Sequence, residues 1–154
     1  MKRFFLQRHQ DITGISGTGK VAEGCILHSG KVVMSWLSAT PSGCVHESIE
    51  AVQKIHGHSG ATEIVFPEDD DLSALPTLYH LHHSENKSGL SGVGDVAEIV
   101  LFSNNWTALQ WLVEPFQIEF YSQMDHCCAV HASQTHAKII PHFWWGRITI
   151  SHQH

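Results

Sequence analysis

The chain has 154 residues, a formal net charge of −6 and 14 histidines. Nine basic against 15 acidic side chains leave no excess for neutralising phosphates, which excludes broad nucleic-acid binding as the main activity. The apolar run after Met1-Lys2-Arg3 stops at Gln7 and no stretch reaches transmembrane length, so we expect a cytoplasmic protein with no membrane partner.

In chain order, the first element is a strand around Arg3–His9, followed by a Gly/Ser/Thr loop from Asp11 to Gly19. Lys20–Leu27 and Lys31–Leu37 alternate as the arms of a hairpin joined at His28-Ser29-Gly30, where Ser29-Gly30 suits a tight two-residue turn. A short extended piece near Cys44–His46 leads to Ser48, an N-cap for a helix carrying Ile49, Val52 and Ile55 on one apolar face. Gly57 is the expected C-terminal stop of that helix, and Thr62–Phe66 closes the unit as a strand.

The same order then repeats. Gly14-Ile-Ser-Gly-Thr-Gly-Lys-Val-Ala-Glu23 returns as Gly89-Leu-Ser-Gly-Val-Gly-Asp-Val-Ala-Glu98. At the same offset Trp36-Leu37 becomes Trp111-Leu112, and His56 becomes His131, without a gap. Met124, Cys127 and Val130 take the helix positions, Ala137–Ile140 the closing strand, and Asn104-Asn105 the hairpin turn. A register this long marks a duplicated structural unit. We therefore expect an α+β fold of two tandem β-β-β-(β)-α-β units, residues 1–67 and 78–154, around an acidic linker at 68–77. Each unit is a small curved antiparallel sheet with one helix. Because a unit of this size buries only about 60% of its unfolded surface, the two are expected to pack as an internal pseudo-dimer, with further homo-oligomerisation open. Residues 143–151 have no counterpart and suggest one more strand, with Trp144 and Trp145 pointing to opposite faces.

The duplication serves as a control on each motif. Gly14-x-x-x-x-Gly19-Lys20 nearly spells a P-loop, but Val21 replaces the hydroxyl that would hold magnesium, a strand follows instead of a helix, and Asp95 stands in the second copy where Lys20 stands in the first. The loop has two readings: a tight glycine turn packed on the sheet, or a concavity of N–H groups with Ser16 and Thr18 that binds an anion, helped by Arg8 and Lys20. The histidines offer no ligand set common to both copies, so neither a metal nor another cofactor is expected. Cys25, Cys44, Cys127 and Cys128 form no C-x-x-C pair, which suits a reducing compartment. Glu23/Glu98 and His56/His131 recur in register; they pair either as base and orienting carboxylate or as structural residues. Trp36 and Trp111 are expected in the cores.

The first copy resembles a group of short single-copy proteins of bacteria, their phages and some archaea. Its motifs are Arg8-His9-Gln10-Asp11-Ile12-Thr13-Gly14-Ile15-Ser16-Gly17-Thr18-Gly19-Lys20-Val21-Ala22-Glu23-Gly24, then Trp36, then Ile55-His56-Gly57-His58-Ser59-Gly60-Ala61-Thr62. Thr13 replaces a serine of the pattern. The resemblance implies a phage-type protein and no particular activity. The second copy departs from it at His83, Val93, Ile99, Ala132, Ser133 and Thr135. The combined reading is a non-catalytic phage or mobile-element binding protein with a counter-defence role, sequestering a small anionic ligand such as a nucleotide or blocking a host protein. Its candidate ligand-binding residues are Arg8, Ser16, Thr18, Lys20, Glu23, His56 and His58. The alternative is a small hydrolase or phosphotransfer enzyme using Arg8, Glu23, His56 and His58.

Overall fold

A computed structural model describes residues 1–15, 17–68, 76–131 and 137–141. Ser16, most of the linker, and the extension with Trp144 and Trp145 lie outside the described residues.

The chain forms two compact units: one contains Met1–Pro76 with Phe102–Asn104, the other Thr77–Leu101 with Asn105 onward. In the first, strands β1 (Lys2–Arg8), β2 (Gly19–Ile26), β3 (Val32–Trp36) and β4 (Gly43–His46) precede helix α1 (Ile49–His56) and strand β5 (Thr62–Val65). The second repeats this with β6 (Thr77–His83), β7 (Gly94–Leu101), β8 (Thr107–Trp111), β9 (Ile118–Tyr121), α2 (Met124–His131) and β10 (Ala137–Pro141). The sheet orders are β4-β3-β2-β1-β5 and β10-β6-β7-β8-β9, antiparallel throughout. This is the α+β architecture expected from the repeat, and the optional fourth strand before the helix is present in both units.

Alternation decides which residues the helix covers. Cross-strand partners share a face, and Leu6↔Ala22↔Trp36 is one such row, with Phe4↔Gly24↔Met34↔Cys44 beside it. Phe4, Leu6, Ala22, Val32 and Met34 pack with Val52 of α1 into one buried cluster. Burying Val52 fully contributes about 1.5–3 kcal/mol. Ser48 caps α1 as expected: its backbone is extended and its hydroxyl accepts the Ala51 N–H at 3.3 Å.

Two local expectations are corrected. Ile55, placed on the apolar face by its spacing, is 55% exposed, as is its counterpart Val130 at 50%. An eight-residue helix has room for one buried stripe, and Val52 or Cys127 fills it. The hairpin turns contain three residues rather than two. Gly30 N–H bonds Leu27 C=O and Leu27 N–H bonds Lys31 C=O, with Gly30 at φ 84° and its counterpart Asn105 at φ 69°. This is the three-residue hairpin that ends in a left-handed residue. Gly57 ends α1 as expected, though in a right-handed conformation (φ −69°), and the left-handed residues follow at His58, Ser59 and Gly60, where φ is 45°, 54° and 98°.

Both units carry a β-bulge that the sequence does not announce. Leu6 pairs with Ala22 but Gln7 pairs with Lys20, so Val21 is the extra residue; Val96 is its equivalent between Ala97 and Asp95. The bulge decides which side chains reach the site, because every residue beyond it changes face.

Candidate functional site

On the helix-covered face of the first unit, Arg8 ends β1 opposite Thr62 and is only 4% exposed. Its Nε donates to Thr62 Oγ1 at 3.1 Å, one terminal nitrogen lies 3.9 Å from Asp11, and the guanidinium sits 5.9 Å from the centre of the Trp36 ring. A guanidinium has five N–H donors, more than these two polar contacts use.

Beside it are two imidazoles. His56 closes α1 and His46 closes β4, with their Nε2 atoms 3.4 Å apart. One ring must donate and the other accept. Trp36 meets His56 edge to face at 5.1 Å, while His46 Nε2 also lies 3.5 Å from Cys44 Sγ. Burial, then the charges of His46, His58 and Arg8, pull the His56 pKa down to about 4. Burial lowers His46 as well, and raises the Cys44 thiol against the hydrogen bond from Trp36. At neutral pH the pair is uncharged: two proton carriers beside a fixed cation.

The expected site residues divide between the two faces of the sheet. Arg8 and His58 lie near enough to His56 for their charges to act on it. Lys20 and Glu23 are on the other face, as a 2.8 Å ion pair with Lys20 5.4 Å from the Phe5 ring centre. Glu23 therefore does not orient His56, and the pairing of these two residues as base and carboxylate does not form. The bulge at Val21 is what lets Lys20 and Glu23, three positions apart, share a face. Thr18 is exposed in the glycine loop.

The loop itself is organised by Asp11. Its carboxylate accepts the N–H groups of Thr13, Gly14 and Gly17 at 3.2, 2.9 and 2.8 Å, plus the Thr13 hydroxyl at 3.1 Å. Burial opposes ionisation, but these bonds outweigh it and hold the acid below its usual range. The Thr13, Gly14 and Gly17 N–H groups of the anticipated anion cradle are thus taken by an anion of the chain's own. Trp36, expected in the core, packs against it only in part and walls the site.

Cys44 and His46 were missed from the sequence because their counterparts are unlike them. In the second unit Glu119, Tyr121 and His131 hold the positions of Cys44, His46 and His56, and they form an equally connected group. Trp111 Nε1 donates to Glu119 Oε1 at 3.0 Å, Tyr121 bonds Glu119 Oε2, and His131 Nε2 lies 2.6 Å from Tyr121 Oη and 3.2 Å from Glu119 Oε2. Hydrogen bonds from Tyr121 and Trp111, and the nearby His131, lower the Glu119 pKa despite burial, while burial and Glu119 raise that of Tyr121. The single phenolic proton goes to Glu119, so His131 must carry its proton on Nε2. The signal available in the sequence was the alternation of Cys44 with His46 and of Glu119 with Tyr121, two polar pairs at one strand position.

Lys20's replacement is also balanced locally: Asp95 accepts from His82 Nδ1 at 2.9 Å and lies 3.3 Å from His80 Nδ1. Among the described residues no three His, Cys, Asp or Glu side chains are arranged to hold a metal ion, and no helix is long and apolar enough to cross a membrane.

A family model described as Acb5 phage protein matches the chain twice, over residues 1–68 and 76–142. No curated protein and no solved structure matches it.

Proposed function

The chain belongs to the Acb5 phage protein family, and we propose that its first unit binds a small nucleotide-like phosphodiester at Arg8, His46 and His56 and cleaves it. The carrying observation is the Nε2–Nε2 approach of 3.4 Å between two imidazoles beside a nearly buried guanidinium. A neutral His56 accepts the proton of an attacking hydroxyl or water. The other imidazole, protonated once the anion has entered and raised its pKa, returns a proton to the departing oxygen. Arg8 faces the charge that grows on the phosphoryl oxygens, and Trp36 offers a ring face for a base. In a phage such an activity would remove an anionic signal of the host, the counter-defence role expected from the sequence.

A second reading, sequestration without chemistry, is favoured by the same lowered pKa values, because they leave neither His46 nor His56 protonated at neutral pH. Incubating the protein with a panel of linear and cyclic dinucleotides and analysing the products by chromatography separates the two. Turnover that His56→Ala removes supports catalysis; stoichiometric binding without products supports sequestration. Neither binding nor turnover rejects both.

A further inference from the structure

We propose that the second unit has a ligand site of its own, for a small aromatic molecule carrying both an N–H donor and a terminal oxyanion. The proposal does not depend on the activity of the first unit, since every residue involved belongs to the second.

The site is a cleft of about 520 Å³ between the glycine loop after β6, the end of β8 and the end of α2. That volume is in the range of small-molecule sites. Its apolar side is Trp111, Leu90 and Val130. Leu90 and Val130 are held in water, at 82% and 50% exposure. An aromatic ring lying between them and the indole would cover all three, with a gain of about 25 cal/mol for each Å² of apolar surface removed from water. Trp111 is fixed for this purpose: its N–H is tied to Glu119, and His131 meets it at 5.3 Å and 78°.

The polar side specifies the substituents. Lys87 and Ser88 line the cleft, and among the described residues the Lys87 ammonium makes one long ion-pair contact, 3.9 Å to Glu85. A terminal phosphate or carboxylate would replace that contact with a charge-assisted bond. His131 also lines the cleft, with its Nε2–H committed to Tyr121 and Glu119. The Nδ1 lone pair of that tautomer accepts, so it selects a ring bearing an N–H or amino group. The first unit cannot offer this chemistry, because Ile12, Cys44 and His46 occupy the positions of Lys87, Glu119 and Tyr121.

Two sources share this chemistry, nucleoside monophosphates and aromatic carboxylates. Titration calorimetry on the full chain with adenosine monophosphate, indole-3-acetate and inorganic phosphate tests the site. Saturable binding of either aromatic probe, with phosphate alone failing, is the expected result, and the probe that binds identifies the source. Lys87→Gln should weaken binding about tenfold or more, Trp111→Leu should abolish it, and Lys54→Gln, an exposed change on α1 of the first unit, should leave it unchanged. If Trp111→Leu does not fold, the exposed Lys87→Gln still decides. No binding of either aromatic probe, binding indifferent to Lys87→Gln, or binding lost equally in Lys54→Gln overturns the proposal.

Discussion

Acidification should destabilise the first unit through His56. Its pKa is about 4 in the folded protein against 6.5 for the free side chain, so the native state binds fewer protons than the unfolded chain. The stability tied to its neutral form is complete above pH 6.5 and is lost as the pH falls from 6.5 towards 4. A shift of about 2.5 units corresponds to roughly 3.4 kcal/mol; discounting for the partial exposure of the ring leaves about 2 kcal/mol. The comparison is urea denaturation at pH 7 and pH 4.5 for the wild type and His56→Gln, since the other titrating groups are common to both proteins. The wild type should lose about 2 kcal/mol more than the variant. An equal loss, or a His56 ring that titrates near 6.5 by NMR, would refute the burial and charge argument on which the site rests.

Other outcomes follow from the same geometry. Binding a phosphodiester analogue beside Arg8 should raise the His56 pKa back towards its ordinary value, read from the pH dependence of its ring proton signals with and without ligand. Gly24→Ala should cost about 1–3 kcal/mol or more, because a Cβ there would lie 2.2 Å from the Phe4 ring; combining it with Phe4→Leu should recover most of the loss in thermal denaturation. Asp11→Ala should leave the sheet intact while amide exchange at Thr13, Gly14 and Gly17 accelerates, since their acceptor is gone.

The Gly24 case shows why the two copies were only partly readable against each other. Gly24 becomes Ile99, which from sequence resembles the loss of a site residue, yet Phe4 faces Gly24 and Tyr79 faces Ile99 in the same register. One pair fills its space with the aromatic ring and the other shares it between two side chains. Element order, helix caps and the strand pairs were legible because alternation and capping are local. Glu23 was not: its face depends on the bulge at Val21, and a one-residue change of register reverses every side chain. Cys44 and His46 stayed hidden for a different reason. Neither lies in the motifs that carry the family resemblance, and neither recurs in the second copy, because the fold keeps a position and changes its chemistry, from Cys44-His46-His56 to Glu119-Tyr121-His131.

The central claim is that Arg8, His46 and His56 act on a phosphodiester. The direct measurement is the chromatographic rate of dinucleotide consumption by the wild type and His56→Ala, with circular dichroism confirming that the variant folds. Consumption by the wild type and a loss of at least about a hundredfold in the folded variant is the predicted result. Consumption at the same rate by both proteins would contradict it.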